Sequence, residues 1–324
     1  TFTPAGTPVI AIPQTPLVTA LRLQEIPVLG PLLVTPIVTI VNSIPVVGDL
    51  LHPVFGYPLQ PDCVAAPRDV RVVSFDGTQI NVHFLPAPGL RSGQSAPTVF
   101  LGSPMGMPAG TSLNGTPIDP LLADLGGLVG IATLRNAGYN VVTWDPRGAF
   151  FSGGLMQLDS PDFEARDVSA VISWVAELPE AQLDGTGDPR MGMVGATYGG
   201  GIQPVTAATD HRVDAIVPAL AWNTMNSAMY PNDAFKSVQG VMLAATVLLT
   251  LTRVNLRLIP VALSGVLTGS MSAAGQDLLA ALGPGSYRGF PDLVSQITAP
   301  TMLIQGTVDP MFTLMQSDIT AKTL

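Results

Sequence analysis

Apolar and polar positions alternate every second residue in the stretch VRVVSFDGTQINVHF, residues 70–84. Asp76 and Gly77 interrupt this alternation, and an Asp-Gly pair between two alternating runs predicts a β-hairpin. Further along, short apolar runs of strand length predict more buried strands. These runs cover residues 96–102, 140–144, 190–195, 212–220 and 299–306.

A helical period appears between these runs. In DFEARDVSAVISWVAELPE, apolar side chains recur at the spacing of one helix face, at Val168, Val171, Ile172 and Val175. A second helix is expected in LLADLGGLVGIATLRNAG, with Gly138 near its end, and a third begins near Tyr198. Strands that alternate with helices predict an α/β domain with a mostly parallel sheet.

The alternation fails in two places, which divides the chain. Residues 1–60 form an apolar, proline-rich N-terminal arm, and residues 61–220 form the first part of the α/β core. Residues 221–296 are apolar and helical in pattern, which predicts a cap inserted over the carboxyl edge of the sheet. Residues 297–324 continue the core, which is expected to be incomplete at its C-terminal end.

The arm has an internal repeat and few charges. IPVLGPLL at residues 26–33 returns as IPVVGDLL at residues 44–51, and no charged residue lies between Glu25 and Asp49. Prolines break this uncharged stretch, so short helical segments are favoured over a helix that spans a membrane. The arm packs either on its own domain or against lipid or another subunit, because exposed apolar surface of this size usually has a partner.

Composition narrows the classes of function. Of the 324 residues, 47% are hydrophobic and 11% are charged, and the net charge is −9 with only 14 basic residues. A chain this acidic is not expected to bind nucleic acid. Its one cysteine excludes a disulfide framework within the chain, and no ligand cluster in the sequence implies a metal or an organic cofactor.

The stretch RMGMVGATYGG, residues 190–200, has the form of a nucleophile elbow, Gly-x-Ser-x-Gly, with threonine at the central position. Thr197 is therefore the candidate nucleophile, at the junction of a predicted strand and a helix. The backbone N–H of Tyr198 is one expected oxyanion donor. The second is expected from the loop after residue 102, where Pro104 has no N–H and Met105 is the candidate.

A catalytic acid is expected after a later strand, and Asp309 in LIQGTVDP has that position. In hydrolases with a nucleophile elbow, the catalytic residues follow the order nucleophile, acid, histidine along the chain. His52, His83 and His211 all precede Asp309, so each is interpreted as structural. The native polypeptide is therefore expected to continue past Leu324, or a cleaved C-terminal fragment is expected to complete the domain. Asp145 and Arg147 in WDPRG are interpreted as a pair that fixes a loop.

With these motifs the chain resembles α/β-hydrolases of the cocaine-esterase-like and X-Pro dipeptidyl-peptidase-like (CocE/NonD) type, especially actinobacterial members. The resemblance covers residues 69 to 324. It implies a serine hydrolase acting on ester or amide bonds, with the nucleophile at position 197 and the acid at Asp309. Two features depart from the family pattern: threonine replaces serine, and the family's histidine is missing. The matching stretches are WDPRGAFFSGG, FEARDVSAVISWV, DGTGDPRMGMVGATYGGGIQ, RVDAIVPALAWN and LIQGTVDP.

Two hypotheses of function remain open. The first is an exported hydrolase, secreted or in the cell envelope, that cleaves an ester or amide bond of an apolar acyl substrate through an acyl-enzyme. The second is a catalytically impaired hydrolase-fold protein with a structural or lipid-binding role in the cell envelope. Thr197 and the missing histidine leave activity uncertain. Self-association is expected in either case, because of the apolar arm.

Overall fold

A computed structural model describes residues 8–115, 129–285 and 292–324. Its centre is a seven-stranded sheet with the strand order β1-β2-β3-β5-β4-β8-β9. The strands β4, β5, β8 and β9 are parallel, and β1 to β3 form an antiparallel side. A separate two-stranded ribbon pairs β6 with β7. The strands are β1 Ala11–Gln14, β2 Arg68–Val73, β3 Gln79–Leu85, β4 Thr98–Gly102, β5 Asn140–Trp144, β6 Leu183–Gly185, β7 Asp188–Pro189, β8 Met191–Ala196 and β9 Ala215–Ala219.

Most strands match the apolar runs of the sequence. The predicted hairpin is confirmed as β2 and β3, with Gly77 at φ 84° in the turn. Strand β5 has the predicted bounds, and all five of its residues are buried. Side chains of the sheet pack against the helix Glu164–Val175, as in the edge-to-face contact of Phe84 with Trp174. The core therefore lies between the sheet and its helices, as α/β layers require.

Residues 299–306 do not form the regular strand that the sequence predicts. It follows β9 only through isolated parallel bridges, Ile216 with Thr301 and Ala219 with Ile304. Met302 in this run is 63% exposed. Among the described strands, only β9 lies beside this segment. The segment is therefore the edge of the sheet, and it forms only part of a strand's hydrogen-bond ladder.

Helices surround the sheet and fill the region between β9 and residue 299. The predicted helix before Gly138 is described only over Ile131–Asn136, since residues 116–128 lie outside the described residues. The described α-helices are α1 Leu17–Ala20, α2 Thr35–Asn42, α3 Val47–Phe55, α4 Ile131–Asn136, α5 Glu164–Val175, α6 Tyr198–Thr209, α7 Met225–Met229, α8 Ser237–Leu249, α9 Leu258–Thr268, α10 Ala273–Ala280 and α11 Leu314–Thr323.

The arm contains one element that the sequence pattern did not indicate. Strand β1 pairs antiparallel with β2 and extends the sheet. Its sequence, AIPQ, is short and contains Pro13, so it lacks the alternating pattern of a strand. An edge strand tolerates proline because one side of its backbone needs no partner.

The two copies of the arm's repeat adopt the same local structure. Val28 has φ 68° and Val46 has φ 61°, both in the left-handed region that β-branched residues rarely enter. In each copy the glycine N–H donates to the isoleucine carbonyl, Gly30 to Ile26 and Gly48 to Ile44. The repeat therefore encodes one turn, used twice to start the helical segments Gly30–Asn42 and α3.

Among the described residues, no single helix is both long and apolar enough to cross a bilayer. The helices α9 and α10 meet the length and composition criteria only when taken together, and they are bent by 120° at the break between them.

Candidate active site

Thr197 lies at the sharp turn between β8 and α6, with φ 55° and ψ −110°. Its N–H donates to the carbonyl of Ala219 on the neighbouring strand, and its own carbonyl accepts from Gly200 and Gly201. Threonine is β-branched and seldom adopts a positive φ, so these contacts hold a strained backbone. This is the geometry that a nucleophile elbow requires at its central residue.

Glycines make this turn possible. A Cβ atom on Gly199 would lie 2.0 Å from the carbonyl oxygen of Gly102, and one on Gly200 would lie 2.2 Å from the carbonyl oxygen of Ala219. Any side chain at these two positions would push α6 away from the strands. The spacing of glycines in the sequence therefore reflects direct backbone contact between the end of β4 and the start of α6.

The two predicted oxyanion donors lie on adjoining segments. Tyr198 is the first residue of α6, where an N–H has no acceptor within the helix. Met105 lies in the loop that follows Gly102, and its half-buried side chain packs on the apolar cluster that contains Tyr198. Since Gly102 touches Gly199, both donors belong to the neighbourhood of Thr197. Their roles in an oxyanion hole stay predictions.

Asp309 follows the edge segment that runs beside β9, two positions along the sheet from the strand of Thr197. Its Oδ1 accepts hydrogen bonds from the N–H groups of Met311 (2.8 Å) and Phe312 (3.0 Å). Its Oδ2 accepts from Gln305 at 3.3 Å. These bonds fix the carboxylate in the half-buried loop where the sequence predicts a catalytic acid, and its role stays a prediction.

A lysine near Asp309 was missed by the sequence reasoning. Lys236 precedes α8, and its Nζ donates to the carbonyl of Met311 at 2.8 Å. Burial lowers the pKa of Lys236, while the charge of Asp309 acts in the opposite direction. Its position in the cap gave no signal in the sequence, because only the folded chain brings residues 236 and 309 together.

The histidines lie away from Thr197. His52 and His83 are buried, and both bond to Asp69 on β2, on the antiparallel side of the sheet. His211 is exposed and follows the far end of α6, which is about 18 Å long at 1.5 Å per residue. Among the residues that the structure describes, none of the three histidines is in contact with the elbow.

Asp145 and Arg147 do not form the predicted pair, because each is bound by other residues, although both hold loops in place. Asp145 accepts hydrogen bonds from the backbone of Ala109 and from Asn81, at 2.8 and 3.0 Å. Arg147 forms two short bonds to Asp167, 2.7 and 2.6 Å, and a third to Asp76. Burial disfavours the charged form of Arg147, but the bonds to Asp167 and Asp76 have the larger effect. The pKa of Arg147 is therefore raised above its usual value.

Two buried carboxyl groups lie beneath the elbow, and the sequence gave no sign of them. Asp159 is fully buried, and neither of its carboxyl oxygens has a hydrogen-bond partner in the described structure. Glu164 accepts from the hydroxyl of Tyr198 and from two backbone N–H groups. Burial, followed by repulsion from Glu164, raises the pKa of Asp159 well above its usual value. Burial also raises the pKa of Glu164 to about 7. Asp159 therefore favours its neutral form, and Glu164 favours its neutral form below about pH 7.

A cluster of possible metal ligands joins the arm to the sheet. His52, Asp69 and His83 are buried, and one ligand atom from each lies within 4.8 Å of the others. The same atoms are paired by hydrogen bonds: Asp69 accepts from His52 at 3.0 Å, from His83 at 2.7 Å and from Tyr57 at 2.9 Å. His52 Nδ1 has no described partner, whereas a metal-bound histidine usually donates its other N–H to a second group. We therefore interpret the cluster as a hydrogen-bonded junction, referred to below as the Asp69 junction.

Comparison with known families explains this combination of features. The model of the X-Pro dipeptidyl-peptidase (S15) family matches residues 76–262, more than half of the chain. The chain belongs to this family. The match includes the elbow, Asp145 and Arg147, while the N-terminal arm and Asp309 lie outside it.

Among curated proteins, this S15-family chain is 27% identical over 137 residues to PA2218, an uncharacterised protein of Pseudomonas aeruginosa. That match covers 42% of the chain and 32% of PA2218, so it spans about a third of the relative's length. The match therefore shows similarity to one region of PA2218 and carries no activity with it.

Solved structures show that this member of the S15 family has the α/β-hydrolase fold. Acetyl xylan esterase 1 from Thermoanaerobacterium sp. JW/SL YS485 superposes with a TM-score of 0.53 at 16% identity, covering 83% of this chain and 76% of the esterase. The acylaminoacyl peptidase of Pyrococcus horikoshii gives 0.51 at 15% identity, over 80% and 35% of the two chains. The crystal structure of PA2218 gives 0.50 at 18% identity, over 82% and 84%.

Proposed function

We propose that this S15-family chain cleaves an ester or amide bond of an apolar acyl substrate through an acyl-enzyme formed on Thr197. The threonine hydroxyl attacks the acyl carbon and displaces the alcohol or amine, and water then hydrolyses the threonyl ester. The N–H groups of Tyr198 and Met105 stabilise the oxyanion in both steps. Asp309 orients the general base.

The single observation that carries this proposal is the backbone of Thr197. A β-branched residue at φ 55° and ψ −110° is held there by contacts on both sides, at a strand-to-helix turn built from glycines. Such strain is retained at functional positions more often than elsewhere. It supports a hydroxyl projecting from the elbow toward the carboxyl edge of the sheet.

Threonine is less favourable than serine at this strained backbone position. Its extra methyl group crowds a backbone that is already strained, which adds on the order of 1–3 kcal/mol relative to a residue that fits. We therefore expect activity below that of a serine hydrolase with the same site. A serine at position 197 would keep the hydroxyl and remove the crowding.

The general base must come from a group that can reach both Thr197 and Asp309. We propose that a histidine from another segment or subunit reaches Asp309, because His52 and His83 are engaged by Asp69 and His211 lies beyond α6. Lys236 is the alternative within the chain. Its position near Asp309 and its lowered pKa are properties that a lysine base needs.

An apolar substrate is supported by the surroundings of the elbow. Tyr198, Trp222, Met225 and Phe312 form one apolar cluster between α6 and the cap helices. These side chains are buried in the core beside the elbow, and we propose that the acyl group binds next to them because sites for small molecules are usually lined by apolar groups. Secretion or placement in the cell envelope stays a prediction from the sequence.

Hydrolysis of p-nitrophenyl butyrate, octanoate and laurate by the purified chain tests the proposal. We expect slow turnover that favours the longer acyl groups, faster turnover by Thr197→Ser, and none above background by Thr197→Ala. Equal turnover by the chain and by Thr197→Ala would refute a role for Thr197. Lys236→Met separates the two candidate bases, since unchanged turnover would exclude the lysine, which also bonds to the loop of Asp309.

A second candidate function is a catalytically impaired hydrolase-fold protein with a structural or lipid-binding role in the cell envelope. It is favoured by the threonine at position 197 and by the position of the histidines. If Thr197→Ser is also inactive, and neither added imidazole nor a histidine-containing extract restores its turnover, this second function replaces the first.

A further inference from the structure

The cap presents apolar side chains to solvent in unusual number. Leu248, Leu249 and Leu251 at the end of α8 are 74%, 85% and 83% exposed. Gly240 is the only buried residue of α8, and α9 buries Leu258 and Gly265 alone. Soluble monomers rarely expose apolar patches of this extent without a partner. The other exposed members of this cap surface are Val238, Val241, Met242, Leu256, Ile259, Leu263 and Leu267.

The N-terminal arm also exposes apolar side chains, while its polar side chains face the core. Asp49 accepts two hydrogen bonds from Thr111, His52 bonds to Asp69, and Gln24 is buried against the carbonyl of Tyr57. The apolar side chains of the same segments face outward. An arm held by its polar groups leaves its apolar surface free for something else. The exposed members of this arm surface include Val28, Leu29, Leu32, Leu33, Ile37 and Ile40.

Both surfaces border the loop that follows β4. Gly106 in this loop packs against Thr246 of α8, and a Cβ at Gly106 would lie 2.6 Å from that threonine's methyl group. Thr111, at the other end of the loop, bonds to Asp49 of α3. The same loop begins at Gly102, which touches the elbow. The two apolar surfaces therefore adjoin the mouth of the candidate active site.

Within residues 234–276 of the cap every charged side chain is basic, although the chain as a whole is acidic and Asp309 lies near Lys236. From residue 234 to residue 276 there is no Asp or Glu, while Lys236, Arg253 and Arg257 are basic. Arg253 and Arg257 are exposed in the connection between α8 and α9. Apolar helices bordered by arginine are the pattern of segments that lie in the interface of a bilayer with anionic lipid.

We propose that the cap surface and the arm surface dock on an anionic lipid bilayer, with α8 and α9 lying in the headgroup region. The exposed leucines enter the acyl boundary, and Arg253 and Arg257 contact lipid phosphates. These helices, of 13 and 11 residues, are too short to cross a bilayer singly and suit a position parallel to the membrane plane. The docking assigns a specific surface to the lipid-binding role of the second candidate function, and it does not depend on hydrolysis by Thr197.

A second copy of the chain fits this surface less well. In a two-fold dimer the same patch meets itself, so the arginines of one copy would face the apolar and basic cap surface of the other. No acidic side chain between residues 234 and 276 is present to pair with them. Anionic headgroups neutralise the same charges.

Vesicle flotation of the full chain tests the docking. Vesicles of phosphatidylcholine alone are compared with vesicles that also contain phosphatidylglycerol, and light scattering without lipid measures the oligomeric state. The test variant is Leu249→Glu with Leu251→Glu. The control is Leu183→Glu, which changes a leucine that is 42% exposed on the β6–β7 ribbon.

We expect binding to vesicles that contain phosphatidylglycerol, weaker binding to phosphatidylcholine alone, and a loss of about tenfold or more in the test variant. The control is expected to bind like the unaltered chain. Equal binding by the test variant would overturn the assignment to α8. A dimer that does not bind vesicles, and that Leu249→Glu with Leu251→Glu dissociates, would assign the surface to a second copy and overturn the proposal.

Discussion

Protonation of a buried residue beneath the elbow makes the stability of the folded chain depend on pH. Glu164 supports the hydroxyl of Tyr198, the residue that follows the candidate nucleophile. Burial raises the pKa of Glu164 to about 7. Between its ordinary pKa and this raised value, the folded chain holds a proton that the unfolded chain releases. The folded state is therefore most favoured below that interval and loses stability as the pH rises through it.

We predict that the free energy of unfolding falls between about pH 4.5 and pH 7, with Glu164 contributing about 3 kcal/mol of the decrease. Glu164→Gln mimics the protonated form, so its unfolding free energy is expected to change much less over that interval. Urea unfolding at several pH values measures both proteins. Asp184→Gln is the control on the surface, and a Glu164→Gln profile as steep as that of the unaltered chain would contradict the account.

Thr197, Tyr198 and Asp309 could be named as candidate site residues because each occupies a position in a short motif next to an apolar strand, and their roles stay predictions. Asp159, Glu164 and Lys236 could not, since their relation to the site depends on packing between segments far apart in sequence. Glu164 lies in the first turn of an amphipathic helix, where an acidic residue is ordinary and gives no hint of burial.

At the level of elements, the arm is attached by the Asp69 junction as well as by β1. Burial opposes ionisation of Asp69, but the hydrogen bonds from His52 and His83 outweigh it and hold the pKa of Asp69 well below its usual range. One carboxylate thereby connects α3 to β2 and β3. Its contribution is expected above the ordinary pKa of aspartate, and it is lost as the pH falls through the lowered value.

We predict that Asp69→Asn lowers the free energy of unfolding by about 3 kcal/mol, because it leaves buried donors without their charged partner. Residues 20–60 are expected to become the first sites of limited proteolysis. Asp184→Asn is the matched control, since its ion pair with Arg190 is exposed and surface pairs contribute about 1 kcal/mol or less. An Asp69→Asn variant as stable as the control would show that the arm is held by β1 and apolar contacts alone.

The strands of the core were predictable because their apolar runs are short, distinct and separated by turn residues. Strand β1 was not, because four residues that include a proline carry no strand signal. The edge segment at residues 299–306 has a strand-like sequence, yet it forms only isolated bridges. An apolar run therefore specifies burial more reliably than it specifies a complete hydrogen-bonded ladder.

At the scale of the whole molecule, an α/β-hydrolase sheet of the S15 family carries an arm and a cap that expose apolar surface beside the elbow. The sequence indicated this division because the arm has few charges and the alternation of strands and helices stops in the cap, and the exact bounds stay a prediction. It could not show that the arm turns its polar side chains inward, because that orientation depends on Asp69 and Thr111 of the core. The arm is thus attached to the core by buried polar contacts, whatever covers its outer face.

The central claim is that Thr197 is a nucleophile held by the elbow, and covalent labelling tests it most directly. The chain, Thr197→Ser and Thr197→Val are treated with a fluorophosphonate, and peptide mass spectrometry identifies the labelled residue. We predict slow labelling at position 197, labelling about tenfold faster or more in Thr197→Ser as the strain is relieved, and none in Thr197→Val. Labelling at another residue, or no labelling at position 197 in either the chain or Thr197→Ser, would contradict the claim.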